Sequence, residues 1–212
     1  MNASATRFLV VFDVDSTLIQ DEVIELLADV AGKRSEVAEV TERAMSGELD
    51  FASSLAERVA TLVGLPERVI AETVARVRPT PGLSDIIDAV HSRGGKVAAV
   101  SGGFSQILEP LAADWGLDFW RANLLEIEGG VLTGRVSGEI VDRRVKAEML
   151  ETWASTCNLS LAQTLAVGDG ANDLDMLALA GLGVAFNAKP VVRASTPLSV
   201  ERNLGELICL LP

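Results

Sequence analysis

Asp13 and Asp15 stand two residues apart at the end of a short apolar run, in "RFLVVFDVDSTL". Carboxylates this close repel each other, and burial strengthens the repulsion, so a cation or a shared proton must compensate. A hard divalent cation takes oxygen ligands. Mg2+ is usually held by one or two carboxylates, with water and phosphate oxygens completing the octahedron. Asp169 offers a third carboxylate in "GDGANDLDML", where Asn172, Asp173 and Asp175 crowd around two glycines. Asp169 is placed to reach the metal, Asp173 to cap a helix or orient a lysine, and Asp175 at the surface. Taken alone, "DVDST" reads equally as a turn in which Ser16 or Thr17 caps the next helix. Asp169 and Asp173 shift the reading to a metal-assisted site.

Donors for an anion are also present. Ser101, Gly102 and Gly103 follow an apolar run and precede a helical one. Glycines admit a ligand close to the backbone, and free N–H groups at a helix start favour an anion. By itself the Ser-Gly-Gly is an ordinary tight turn. Lys146, early in "VKAEMLETW", opposes the helix dipole there. A transferring phosphoryl group would offset that, although on residue type alone a solvated lysine fits as well.

Rare residues and composition exclude other chemistry. His91 is the one histidine, so a multi-histidine zinc site is impossible, and its position near a helix end reads as solvated. Cys157 and Cys209 are isolated, which fits reduced thiols. Thirty acidic against 18 basic residues leave a net charge of −12, opposing nucleic acid and an anionic membrane surface as partners. "FLVVF" is cut by Asp13, too short for a signal peptide or a span; a cytoplasmic location is expected. The 212 residues, 49% hydrophobic and 23% charged, suit one globular core with a modest insertion.

Residues 7–12 read as a buried parallel strand. Residues 21–77 then follow helical periodicity. Val23, Ile24, Leu26, Leu27 and Val30 form a stripe that stops at Gly32. Further helices are expected over 35–45, 51–63 and 67–76, broken at Gly47, Gly64 and Pro66, with Met45 and Phe51 as apolar packing. "RPTPG" is a hinge. Helix and strand alternate afterwards. Helices are expected over 83–92, 104–115, 145–157, 172–180 and 204–211. Strands are "KVAAV", ending in a Ser-Gly-Gly turn, then "TLAVGDG" and "LGVAFN", with extended segments over 120–141 turned at 128–130. The fold class is α/β: a Rossmann-like, mostly parallel sheet (1–18 and 80–212), a helical insertion (19–79) and a small β-hairpin element. Ligands bind beyond the carboxyl ends of such strands, so the three loaded strand ends converge on one edge.

"FDVDSTL", "SGG", "VKAEML" and "GDGANDLDML", in this order, resemble the four motifs of the haloacid dehalogenase-like (HAD) phosphatases. Within that superfamily the resemblance is to the phosphoserine phosphatase family. It runs from about Phe8 to Pro190 and takes in Glu22, Arg58 and the GDGAND turn. It implies that Asp13 is the nucleophile, that Asp15 is the general acid and base, and that Mg2+ binds Asp13, the Asp15 carbonyl and Asp169. Ser101, Gly102, Lys146 and Asn172 are implied to hold the phosphoryl oxygens, with Asp173 orienting Lys146. Arg58 and Glu22 would bind the substrate carboxylate and ammonium, under an insertion acting as a cap. The implied reaction is hydrolysis of phosphoserine, the last step of serine biosynthesis. Hydrolysis of another small phosphomonoester, or transfer to homoserine, is the alternative; a phospho-accepting receiver module is more remote. Val14 and Ser105 depart mildly from the family pattern, and the segment after Pro190 is divergent. Longer relatives carry an N-terminal regulatory domain. The first motif starts at Phe12, so serine control through such a domain is not expected.

Overall fold

A computed structural model of the chain describes residues 5–45 and 50–212; the side chains of residues 42–45 are outside the described set. The expected Met45 packing and the break at Gly47 lie outside the described residues. Leu9–Phe12 forms β1, buried throughout. Val10 and Phe12 enter one apolar core, and Leu9 and Val11 enter a second on the opposite face. A run that is apolar without alternation gives such a two-sided strand in a parallel sheet.

After β1 the chain enters the helical insertion: α1 (Val23–Val30), α2 (Arg34–Met45), α3 (Phe51–Ala60) and α4 (Arg68–Val74). On α1 the buried set is Val23, Ile24, Leu27 and Ala28. Leu26 and Val30, expected on the stripe, are half-buried, and Ala28 faces inward instead. Asp50 caps α3 by accepting from the Ser53 N–H at 2.8 Å. Entry to and exit from the insertion are tied together. Ile19 and Pro79 form an antiparallel bridge. The Asp21 carboxylate accepts from the Arg78 N–H at 2.8 Å and from its guanidinium at 3.0 and 2.6 Å. "RPTPG" therefore lies at a clamped junction between the insertion and the sheet.

The rest of the chain builds the sheet. In sequence come α5 (Leu83–Ser92), β2 (Lys96–Phe104), α6 (Ser105–Trp115), β3 (Phe119–Glu128), β4 (Val131–Ser137) and α7 (Arg143–Thr156). These are followed by β5 (Thr164–Gly168), α8 (Leu174–Leu179), β6 (Leu182–Phe186), α9 (Pro190–Arg193) and β7 (Leu198–Val200). Strand order is β4-β3-β2-β1-β5-β6-β7. Neighbours pair in parallel except β3 with β4, which is the expected hairpin.

The two faces differ in residue size. Val97, Leu165, Val167, Val184 and Phe186 meet α5, α6 and a C-terminal 3₁₀ segment (Leu204–Leu210). Ala98, Ala166 and Ala185 face Leu150, Trp153 and Met176 of α7 and α8, where small residues leave room for large helical side chains.

The hairpin reaches the insertion through its backbone. Gly64 N–H donates to the Leu132 carbonyl at 2.8 Å, Leu132 N–H to Leu65 at 2.8 Å, and Glu67 N–H to Gly130 at 2.9 Å. These bonds end the expected 51–63 helix early, at Ala60.

Other differences have local causes. Ser101–Gly103 is not a turn. It is a bulge inside β2, whose register against β3 shifts between Val100 and Phe104. The α7 helix begins earlier than expected, because Asp142 caps it by accepting from the Val145 N–H at 2.9 Å. The last helix is 3₁₀ over Leu204–Leu210. Neither α9 nor β7 is visible in the hydrophobic pattern, because each is four residues or fewer. No helix among the described residues is long and apolar enough to cross a membrane.

Candidate active site

β1 hands Asp13 to the carboxyl edge of the sheet. The ladder extends one residue beyond the strand, Asp13 N–H donating to the Val167 carbonyl at 2.9 Å. The chain then turns sharply at Ser16, whose φ of 56° lies in the left-handed region. Ser16 Oγ donates to Glu22 Oε1 at 2.8 Å, and Asp15 Oδ1 accepts from the Val23 N–H at 3.3 Å. The turn thus joins both aspartates to the first helix of the insertion.

Lys146 is the fourth residue of α7, not the second, and is fully buried. Its Nζ lies 2.6 Å from Asp13 Oδ1 and 2.7 Å from Asp173 Oδ1. Asp173 Oδ2 accepts from the N–H groups of Asp169, at 3.2 Å, and Gly170, at 2.9 Å. Both oxygens of Asp173 are therefore committed, one to the lysine and one to the Gly-Asp-Gly turn. Burial works against the Lys146 ammonium, but the two carboxylates outweigh it and hold its pKa above the ordinary value.

Negative charge is still in excess. Burial, reinforced by Asp173, raises the Asp13 pKa well above its ordinary value despite Lys146. Burial and the neighbouring Glu22 push Asp15 up to about 8. Burial and Asp173 push Asp169 up to about 6. Asp13, Asp169 and Asp173 each bring a carboxylate oxygen within 4.8 Å of the others. An all-oxygen cluster in which four aspartates outnumber the buried Lys146 ammonium and the exposed Lys189 is the donor set a hard divalent cation fits.

These groups floor a cavity of about 630 Å³. Asp13, Asp15, Gly102, Asp169 and Asn172 line it from the sheet edge; Glu22, Phe51 and Arg58 line it from the insertion. Ser101, Lys146 and Asp173 are buried one layer behind. The structure thus brings the expected site residues together in two layers, while Asp175 stays at the surface, paired with Arg143. Arg58 is half-buried, with its Nε donating to the Ser54 carbonyl at 3.2 Å. Burial lowers its pKa, and Glu22 and Asp15 work in the opposite direction. Phe51 packs against the core as expected, but its ring also closes over Gly102. A Cβ at Gly102 would stand 3.0 Å from that ring, so a larger residue there would push the Phe51 side chain back by a few tenths of an ångström.

A model of the haloacid dehalogenase-like hydrolases matches residues 10–178. The chain belongs to that family. Among members of the HAD-like hydrolase family, a phosphoserine phosphatase of Streptococcus thermophilus is 51% identical over 209 residues, covering 98% of this chain and 97% of the relative. One of Streptomyces coelicolor is 58% identical over 193 residues, covering 91% of this chain; the chain spans only 47% of that relative. The solved phospho-aspartyl intermediate analogue of a phosphoserine phosphatase superposes with a TM-score of 0.91 at 39% identity. It covers 98% of this chain and 100% of the other. Residues at the HAD-like site that sequence reasoning passed over include Lys189, an exposed lining residue whose charge acts on Asp169, and Asn123, behind Gly102. Lys189 had no signal beyond its place after a strand. Asn123 had one, a polar amide in an extended segment where asparagine is disfavoured.

Proposed function

We propose that this chain is a Mg2+-dependent phosphoserine phosphatase working through an aspartyl phosphate. One observation carries the reading: an acidic, lysine-backed phosphoryl floor and a carboxylate–guanidinium wall, Glu22 and Arg58, face each other across one cavity. Phosphoserine presents a phosphate for the floor and a carboxylate and an ammonium for the wall.

Asp13 attacks phosphorus in line, and the bond to the serine oxygen breaks. Asp15 gives that oxygen its proton; burial and the neighbouring Glu22 raise its pKa, which favours the protonated form. A water then attacks the aspartyl phosphate, Asp15 takes the water's proton, and phosphate leaves with Asp13 regenerated. Mg2+ supplies charge neutralisation on the phosphoryl oxygens. Asp13, Asp169 and the Asp15 carbonyl would hold it, since both oxygens of Asp173 already have donors. Ser101, the Gly102 N–H, Lys146 and Asn172 hold the phosphoryl oxygens. Arg58 forks onto the substrate carboxylate and Glu22 pairs with its ammonium. Residues 19–79 act as a cap that excludes water from the first half-reaction.

The test is phosphate release from a panel of phosphomonoesters with Mg2+ and with EDTA. Phosphoserine is expected to be the best substrate, to need Mg2+, and to lose at least about 10³-fold in turnover with Asp13→Asn. Full activity in EDTA, or Asp13→Asn within tenfold of wild type, defeats the mechanism. A homoserine arm separates hydrolysis from transfer.

A further inference from the structure

We propose that Asn123 is a positioning residue for phosphoryl transfer: its buried carboxamide fixes the Gly102–Gly103 peptide and thereby aims the Ser101 hydroxyl. This rests on the reading above, in which Ser101 donates to a phosphoryl oxygen.

Asn123 is 1% exposed, on β3. A buried amide must find partners on both sides. Its Nδ2 donates to the Gly102 carbonyl at 2.8 Å, and its Oδ1 accepts from the Val141 N–H at 2.8 Å. One partner is an acceptor and the other a donor, so a single orientation of the amide satisfies both. The first bond is made where the sheet fails. Val100 pairs with Arg121 and Phe104 with Asn123, so Ser101, Gly102 and Gly103 bulge opposite Ala122 alone. The Asn123 side chain supplies Gly102 with the donor that the interrupted ladder does not.

A trans peptide points its C=O and its N–H in opposite directions. Anchoring the Gly102 carbonyl therefore aims the Gly103 N–H, which donates to Ser101 Oγ at 2.8 Å. An Oγ that accepts this bond keeps its own proton for another acceptor. The environment is tight: a Cβ at Gly103 would lie 3.0 Å from Ser101 Oγ and 3.3 Å from Asp15 Oδ2, so Ser101 and the general acid converge on this peptide. The other end of the amide holds Val141, the residue before the Asp142 cap of α7, the helix that carries Lys146. One carboxamide thus ties the serine bulge to the start of the lysine helix.

Asn123→Asp separates the two bonds. A carboxylate of the same shape still accepts from Val141 but cannot donate to Gly102. With wild-type enzyme first shown to release phosphate from phosphoserine, Asn123→Asp is expected to lower kcat by about 30- to 300-fold, below the roughly 10²- to 10³-fold of an oxyanion donor lost outright, because the Ser101 hydroxyl is misaimed and not removed. KM stays within about threefold, because the Arg58 wall is untouched. In a Ser101→Ala background the same substitution is expected to cost less than about threefold, since the hydroxyl it aims is gone. An equal loss in both backgrounds, or kcat within about threefold of wild type, overturns the proposal. Asn123→Ala, which adds no charge, carries the same cycle if Asn123→Asp does not fold. If wild type is inert toward phosphoserine but active on 4-nitrophenyl phosphate, the substrate assignment fails, and the cycle is read on the aryl ester.

Discussion

At the residue scale the site divides its labour between fixed and contacting groups. Asp173 spends both carboxylate oxygens inside the protein, and Lys146 is locked between it and Asp13. Neither can reorient without breaking a buried charged bond, so the floor of the cavity is preorganised. Arg58 is different: half-buried and on the cavity wall, it has guanidinium nitrogens to offer a ligand beyond the Nε bond to Ser54. Truncating one partner of a desolvated pair costs roughly 2–5 kcal/mol. Arg58→Ala should therefore lower kcat/KM for phosphoserine by about 30- to 4,000-fold. Lysine should restore only part, since it cannot fork onto a carboxylate. An aryl phosphate lacks that carboxylate, and its hydrolysis should change by less than about fivefold. Parallel kinetics on the two esters decide the matter, because equal losses would make Arg58 structural.

Among the elements, the helical insertion is held at two places far from the chemistry. The junction is closed by Asp21 and Arg78, the far side by backbone bonds between the 64–67 linker and the hairpin. Gly134 makes the second contact possible, since with φ of 79° a Cβ there would stand 3.0 Å from Val63 Cβ. The junction pair is asymmetric: the Asp21 side chain is 6% exposed and that of Arg78 is 66% exposed. Arg78→Ala leaves the carboxylate with the main-chain N–H alone. Solvent around the guanidinium damps the effect, so the expected result is a small drop in the temperature of thermal unfolding, no more than a few degrees. Because a loosened junction affects every ligand, phosphoserine and aryl phosphate should weaken alike, unlike with Arg58→Ala. Unchanged melting and unchanged KM for both would show that the clamp carries no load.

For the whole molecule, uncompensated charge at the sheet edge links stability to pH and to metal. Asp15 and Asp169 have folded-state pKa values of about 8 and about 6, against an ordinary 3.8. The folded chain thus holds more protons than the unfolded chain between about pH 4 and 8, and its stability falls as pH rises through that window. In EDTA, the melting temperature should decrease from pH 5 to pH 8. On the proposed reading Mg2+ prefers the ionised cluster, so adding it should raise the melting temperature most at pH 8 and flatten the profile. Calorimetry with and without Mg2+ tests this, and a metal-free profile that rises with pH would contradict it. Acidic groups held below their ordinary values, such as Asp118 beside Lys96 and His91, lose their contribution only under more acidic conditions, outside this window.

The amino-acid order alone determined the carboxyl-edge cluster. Short apolar runs without alternation, spaced between helical segments and ended by Gly, Ser or Asp, read as buried parallel strands. Asp13, Ser101 and Asp169 follow three such runs, and parallel strands place their ends on one edge. Glu22 and Arg58 were legible only through family resemblance, because a charge on an amphipathic helix looks the same whether it meets water or substrate. Tertiary structure decided the rest. Lys146 meets an aspartate 133 residues away and becomes fully buried, which its local sequence, typical of a solvated helix, does not encode. Asn123 finds partners 21 and 18 residues away, across a bulge that no periodicity reveals. The ends of α3 and α7 were set by a hairpin contact and an aspartate cap rather than by hydrophobic pattern. Strand ends follow from local burial, but the partners of buried polar groups are chosen by chain closure over long separations, and only the folded geometry makes that choice.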